Sequence, residues 1–385
     1  MTEDRVKDPR SEIDEIDAKL LGLLNRRAEI ALRVGAAKSS VDGSLCDTTR
    51  EREVLSRLTR ENNGPFSEQS IENIFQRIID ESLNLQQQQF HRPAAGTSGG
   101  KVKMAGRSRV AFLGERGTFS EEAALGILGD DCETVSFPNF DLLFRAIADD
   151  KADYILTPLE NSLVGSVHRC YDLLLNSDLS IAAEVILPVS HYLVGCEPAS
   201  IETIRSVESH PAALAQCERF FAAYPHLQRI AADDTAGSVR RAVEGNDPTR
   251  AAIGGRRAAA IYGGKILREH IEDHTENFTR FALLSREPTQ TSDAAKVSLV
   301  LRLKHEPGAL HNALRPFVRR GIDLLKIESR PVNETPSQFY FYLDVRAPAI
   351  ENDLTGALKD VSEQADELRH LGRYPTIEIR SEDKA

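Results

Sequence analysis

Two groups of polar residues interrupt apolar patterns in this chain, and both are of types that handle carboxylates. The first lies on a helical seam: from Ser11 onward Ile13, Ile16, Leu20, Leu23, Ile30, Val34 and Ala37 recur at alternating spacings of three and four, with Arg27 in place of one apolar tooth. A charge in an apolar stripe must reach water or find a partner. Lys38 lies three helical turns further on and shares its face. Asp47, Arg50 and Glu51 fall within one turn of a second helical stretch, and on a third the apolar line Ile71, Phe75, Ile78 continues through Ser82 and Gln86. Singly, each has a plain structural explanation: Thr48 with Glu51 fits a capping box, Ser82 is an ordinary helix serine, and the glutamine run is a frayed polar end. Together they outline a water-poor pocket among helices, with cations for carboxylates and an amide and an acid to orient a neutral oxygen.

The second group sits in ENFTRFALLS, Glu276 to Ser285, which reads as a buried strand with Thr279 and Arg280 set into it. Asn277, Thr279 and Phe281 share one strand face and Arg280 takes the other. Asn277-Phe278-Thr279 also fits the N-glycosylation pattern. The charged N-terminus argues against export, so a chemical role is the better reading.

The elements that must position these residues follow three rhythms. Residues 1–90 read as an all-helical domain, one long helix and two shorter ones broken at VDGSLCDTT and NNGPF. Residues 91–108, rich in Gly, Ser, Ala and Lys, read as a linker. From 109 to 286 short apolar runs (RVAFLG, ETVSF, ADYILTPL, LSIAAEVIL, IRSVES, RIAA, AAIGG) alternate with helical patterns, predicting a two-lobed α/β domain. From 294 to 385 the order is βαββαβ, a ferredoxin-like arrangement, with ENDLTGALKDVSEQADELRHLG as its second helix and YPTIEIR as its last strand.

A net charge of −11 disfavours a nucleic-acid or anionic-membrane partner, and any anionic ligand must be held by a few focused Arg and Lys. Five widely spaced cysteines, none in a CxxC, suggest neither a disulfide framework nor a zinc site, and fit a reducing cytoplasm. No metal or cofactor motif is present, and no apolar run reaches the ~20 residues of a membrane span.

The spacing Arg10, Arg27, Lys38, Asp47-x-x-Arg50-Glu51, Ser82-x-x-x-Gln86 resembles the all-helical chorismate mutases. In that family the long helices of two chains intertwine and each site borrows an arginine from the partner. Arg10 fits that role, since seventeen residues before Arg27 is about 100° off its face. The resemblance implies conversion of chorismate to prephenate, a pericyclic rearrangement that electrostatic preorganisation alone can catalyse. Arg10, Arg27 and Arg50 would hold the carboxylates, Lys38 and Gln86 would donate to the ether oxygen, and Glu51 and Asp47 would position the hydroxyl or neighbouring cations, with Ser82 lining the pocket.

The middle domain carries FLGERGTFSEEAA, TPLENSLVGSV, ESHPAALAQCERFF, DTAGSVRRA, AAIGGRRAAAIYG and ENFTRFALL, which resemble prephenate dehydratases in the family's order. It departs from them at Glu115-Arg116, where Pro-Glu is common. The resemblance implies that Thr279 stands at the leaving hydroxyl of prephenate, relaying a proton or hydrogen-bonding the oxygen as charge develops. Arg280 and Phe281 would complete the site, and Glu160, Asn161, Ser162, Ser209 and Gln216 would line a cleft between the lobes of a periplasmic-binding-protein-like domain. His210 is either an acid or a helix-start residue. The C-terminal domain resembles ACT domains, with Gly308, Ala309 and Leu310 in one effector loop and Glu328, Ser329, Arg330 and Pro331 in the other. This implies phenylalanine bound between subunits, and His311, at a position commonly small and aliphatic, weakens that response. The expected assembly is a homodimer or larger. Two alternatives are a monofunctional dehydratase whose helical domain only dimerises, and a non-catalytic amino-acid-sensing binding protein.

Overall fold

The computed structural model describes residues 8–39, 45–90, 108–129, 132–287, 294–332, 335–348 and 350–379. All but one residue of the expected linker therefore lie outside them. Two compact units are formed, one from the described residues of Met1–Ala95 with Leu299–Arg369, the other from those of Gly96–Ser298 with His370–Ala385.

In the first unit the helical rhythm becomes α1 (Pro9–Ser39), α2 (Thr48–Glu61) and α3 (Glu68–Phe90). The start of α2 differs from the capping-box expectation, because Asp47 is the N-cap and accepts from the Arg50 backbone N–H at 3.0 Å. A carboxylate there also meets the positive end of the helix dipole, which a threonine hydroxyl does not exploit. The seam of α1 is bare in the single chain: Ile13, Ile16, Leu20, Leu23, Ile30 and Val34 are all exposed, Leu23 at 66%.

The second unit begins with β1 (Arg109–Leu113), α4 (Phe119–Leu128), β2 (Glu133–Phe137), α5 (Phe140–Arg145), β3 (Tyr154–Asn161), β4 (Gly165–Ser166), α6 (His168–Leu175) and β5 (Ser180–Pro188). It continues through β6 (Tyr192–Gly195), β7 (Ser206–Ser209), α7 (Pro211–Ala215), α8 (Glu218–Ala223), β8 (Gln228–Ala231), α9 (Thr235–Glu244), β9 (Arg250–Gly254), α10 (Arg256–Tyr262), β10 (Lys265–Arg268) and β11 (Phe278–Ser285). One sheet has the order β10-β6-β9-β7-β8 and buries Leu193, Val207, Phe220, Phe221 and Ile253. The chain crosses to this sheet after β5 and returns through β11, which inserts antiparallel between β5 and β3 of the other sheet. Thr279 and Arg280 thus sit just past the second crossing.

The C-terminal stretch forms β12 (Lys296–Leu303), α11 (Ala309–Val318), β13 (Leu324–Val332), β14 (Thr335–Arg346), α12 (Glu351–Ser362), β15 (Ala365–Tyr374) and β16 (Thr376–Glu378). The βαββαβ order is present, with sheet order β13-β14-β12-β15. Its end differs from expectation: α12 stops at Ser362, and ADELRHLG, expected to continue that helix, joins Arg373 and Tyr374 in the last strand of this sheet. YPTIEIR supplies β16 instead, which pairs parallel with β5, so the first sheet reads β16-β5-β11-β3-β1-β2 with β4 beside β3. Leu371 and Tyr374 are buried, so burial on sheet pairing outweighs the helix-forming Glu and Leu of the segment. No described helix is long and apolar enough to cross a membrane.

Candidate active sites

The first group of residues is assembled mainly by packing of α1 on α3. Arg27 Nη1 donates to Ser82 Oγ (2.5 Å) and to the Ile78 carbonyl (3.2 Å), and Gln86 Nε2 donates to the Ala31 carbonyl (2.5 Å). Gln86 is only 6% exposed, and burial lowers the Arg27 pKa without discharging so strong a base. Lys38 Nζ donates to the Leu45 carbonyl at 3.1 Å and lies 4.0 Å from Asp47. The other members are not gathered onto this face by one chain. Arg50 pairs with Glu53 on an exposed surface, and Arg10 is exposed on the first turn of α1. Glu51 pairs with Arg319, which follows α11 and also meets Asp80 at 3.1 Å, while Arg315 reaches Asp80 at 2.7 Å. Desolvation lowers the Arg319 pKa. No local pattern could have flagged Arg319, because its partners lie in distant parts of the sequence.

The second group meets where the chain crosses between the two sheets of the second unit. Asn161, at the end of β3, is its centre: the two hydrogens of Nδ2 are shared among Asn277 Oδ1 (2.8 Å), Thr279 Oγ1 (3.0 Å) and, more distantly, the Phe278 carbonyl (3.2 Å). Asn161 Oδ1 accepts from Gln216 Nε2 at 3.4 Å. Gln216 Oε1 in turn accepts from Asn277 Nδ2 (3.0 Å) and faces His191 Nε2 at 2.7 Å. His191 is 2% exposed, and burial disfavours its charged form and lowers its pKa. A neutral ring with its proton on Nε2 then donates to Gln216. The backbone closes the crossing, with the His191 N–H donating to Glu272 (2.8 Å) and the Asp273 N–H to the Gln216 carbonyl (2.7 Å). Thr279 Oγ1 already accepts a bond from Asn161, so its remaining capacity includes its own O–H, available as a donor.

Sequence reasoning named Asn161, Gln216 and Thr279 in this network but not Asn277 or His191. In the sequence Asn277 offers a strand-face neighbour of Thr279 and a glycosylation match; its 2% exposure and its bond to Gln216 mark it as part of the network. Ser162 pins the start of β11, accepting from the Phe278 N–H at 3.1 Å and donating to the Glu276 carbonyl at 3.2 Å. Three further expected site residues have these surroundings. The Phe281 ring is 2% exposed and packs in the core with Val110, Ile127, Val185 and Leu283. Ser209 is fully buried and donates to the Ile253 carbonyl at 2.7 Å. Arg280, 9% exposed, is engaged by Glu160 (2.8 Å) and by Glu184 (2.5 Å). A register shift in the β11–β3 pairing falls between Arg280 and Phe281, and such bulges re-aim side chains. His210 takes the helix-start role, its Nδ1 accepting from the Ala212 N–H at 3.2 Å.

The first loop answers the departure at Glu115-Arg116. Glu115 makes a two-pronged pair with Arg240 of α9, at 2.7 and 2.9 Å, which holds its carboxyl below the ordinary range. The Arg116 carbonyl accepts from Tyr262 at 2.9 Å. Gly117, at φ +89°, lies so close to α10 that a Cβ would stand 2.8 Å from the Ala258 Cα. The loop therefore bridges α4 to helices flanking the other sheet, with a charge pair where the family commonly has Pro-Glu.

A helical mutase-like unit and a two-sheet α/β unit with an amide-rich crossing are the class these elements define. The family model for chorismate mutase type II matches residues 9–87, and that for prephenate dehydratase matches residues 110–289. A bifunctional chorismate mutase/prephenate dehydratase of Neisseria gonorrhoeae is 34% identical over 95% of this chain and 96% of its own. One from Aquifex aeolicus is 33% identical over 97% and 98%. The structure of a prephenate dehydratase from Arthrobacter aurescens in complex with L-Phe is 29% identical, covers 71% of this chain and 91% of its own, and superimposes with a TM-score of 0.64. The chain belongs to the bifunctional chorismate mutase/prephenate dehydratases. It rearranges chorismate to prephenate and converts prephenate to phenylpyruvate by dehydration with decarboxylation.

Proposed function

We propose that the two activities are carried by the two residue groups described above. In the mutase site Arg27 binds a substrate carboxylate, and Gln86 and Lys38 donate to the ether oxygen as its bond breaks. Because Arg50 and Arg10 stand away from that face in one chain, the site is completed in a homodimer, with Arg10 supplied by the partner. The bare apolar seam of α1 supports this reading, since burying one Leu, Ile or Val side chain is worth about 1.5–3 kcal/mol and six of them are exposed.

In the dehydratase site Thr279 protonates or hydrogen-bonds the departing hydroxyl. The observation that carries this is the bond from Asn161 to Thr279 Oγ1, which leaves the threonine O–H to point elsewhere. Asn161, Asn277 and Gln216 fix that orientation, and Arg280 orients a substrate carboxylate, with Glu160 and Ser162 shaping the rim. The C-terminal βαββαβ domain acts as an ACT domain that binds phenylalanine and lowers dehydratase activity. Gly308, at φ +84°, caps α11 without a side-chain bond; the Ala309 N–H donates to the Glu306 carbonyl, and the next N–H groups, from Leu310 onward, are the ones a carboxylate would meet. Glu328, Ser329, Arg330 and Pro331 on β13 form the second edge, with exposed Ile327 and Phe339 offering apolar surface. His311 is exposed on the first turn of α11, where it loosens the effector's fit. The five free cysteines fit a reducing compartment such as the cytoplasm.

Reciprocal variants test the division of labour. Arg27→Ala should abolish chorismate conversion while supplied prephenate is still consumed, and Asn161→Ala should do the reverse. Loss of both activities from either variant, with the protein folded, would refute separate sites. Calorimetry with phenylalanine on the full chain tests the effector, and the absence of heat would remove the regulatory reading.

A further inference from the structure

Glu184, on β5, is fully buried, and its two oxygens face different parts of the chain. Oε2 accepts from Arg280 Nε (3.1 Å) and Nη2 (2.5 Å). Oε1 accepts from Lys296 Nζ (2.6 Å) and from Thr376 Oγ1 (3.3 Å). Lys296 opens β12 and Thr376 opens β16 just after β15, so the chain meets this one carboxylate where it enters the four-stranded sheet and where it leaves it. Further contacts lie near Glu184 within the same unit. Ser298 and Tyr374 share a buried 2.5 Å hydrogen bond, the Glu184 N–H donates to the Pro375 carbonyl at 2.9 Å, and Gly372 lies so close to β5 that a Cβ would stand 2.3 Å from the Ile181 carbonyl oxygen.

We infer that Glu184 is a positioning residue for the dehydratase, fixing the aim of Arg280 according to how Lys296 and Thr376 hold its other oxygen. The inference rests on the reading that Arg280 orients a substrate carboxylate and that the C-terminal domain responds to phenylalanine. Arg280 is shared between Glu184 and Glu160, the latter at the more exposed end of the guanidinium. With Lys296 in place, Glu184 is neutralised from two sides and leaves part of Arg280's charge for the substrate. When Lys296 withdraws, the buried carboxylate has Arg280 as its single cation and draws it inward, because an uncompensated buried charge is costly. A rearrangement carried along β12 or β15 is thereby delivered to the substrate-orienting arginine through two side chains, neither of which needs to touch prephenate.

The test uses the full-length protein with prephenate as substrate. Lys296→Met should raise KM about 10-fold while kcat falls less than about 3-fold, the pattern of a lost binding alignment. It should also reduce inhibition by phenylalanine, whereas Lys296→Arg, which keeps a cation in reach, should restore both. Thr376→Val, a milder change that keeps the fold should Lys296→Met not, should raise KM by about 3-fold, the loss expected for one hydrogen bond. Chorismate conversion should be unchanged throughout. Arg280→Ala separates the two levels of the reasoning. If it leaves KM unchanged, the underlying reading of Arg280 fails. If it raises KM while Lys296→Met and Thr376→Val keep wild-type KM and phenylalanine response, Glu184 is structural only and this inference is overturned.

Discussion

Replacing Thr279 by valine keeps its shape and removes only the hydroxyl, and the structure allows the two resulting costs to be separated. For stability, the lost partner is the acceptor at 3.0 Å from Asn161 Nδ2. That amide keeps Asn277 Oδ1 and the Phe278 carbonyl as acceptors, so no donor is orphaned. The cost should be about 1 kcal/mol, which lowers Tm by roughly 2–4 °C in a domain of this size. For catalysis, the hydroxyl is the proposed donor to the leaving oxygen, and losing one preorganised donor of this kind typically costs about 10²–10³-fold in kcat. Phenylpyruvate formation from prephenate, measured beside chorismate consumption by the same sample, gives an internal control, because mutase turnover should not move. Thr279→Ser keeps the donor but loses the methyl that fixes its rotamer, and should recover most of the rate. A Thr279→Val enzyme with kcat within about threefold of wild type would remove the hydroxyl from the chemistry, since donors that matter cost far more.

Glu115→Gln should flatten the acid limb of stability. The carboxyl is depressed in the folded protein, so its contribution is present above the unfolded value of about 4.3 and is lost as pH falls through the lower folded value. Melting curves from pH about 6 down to about 3 should therefore converge for the two proteins at the acid end. Gln86→Glu places a carboxyl where a buried amide now donates, so mutase activity should rise as pH falls, while the wild type stays flat around neutrality. An unchanged profile would take Gln86 away from the ether oxygen. Leu23→Glu, on the bare seam, should shift sedimentation toward the monomer and abolish mutase turnover while dehydration persists, and an unaltered sedimentation profile would exclude α1 as the interface.

By itself, the sequence determined what depends on local period and propensity. The α1 seam, the breaks around α2, every strand run named from RVAFLG to ENFTRFALLS, and the polar residues standing within those runs were all legible, because hydrophobic periodicity and capping act over a few neighbouring residues. It also named Asn161, Gln216 and Thr279, which the fold joins in one hydrogen-bond network. The tertiary structure decided which charges meet. Glu115 finds Arg240, Glu51 finds Arg319, and Glu184 holds Arg280, Lys296 and Thr376 together. It also moved Phe281 and Ser209 from the expected rim into the core, and sent TIE of YPTIEIR to the sheet of β5 rather than to that of β12. These outcomes depend on where distant segments pass in space. A buried carboxylate takes whatever cation the chain path brings within reach, and a strand takes whichever open edge lies beside it, so neither choice is written in the residues nearby.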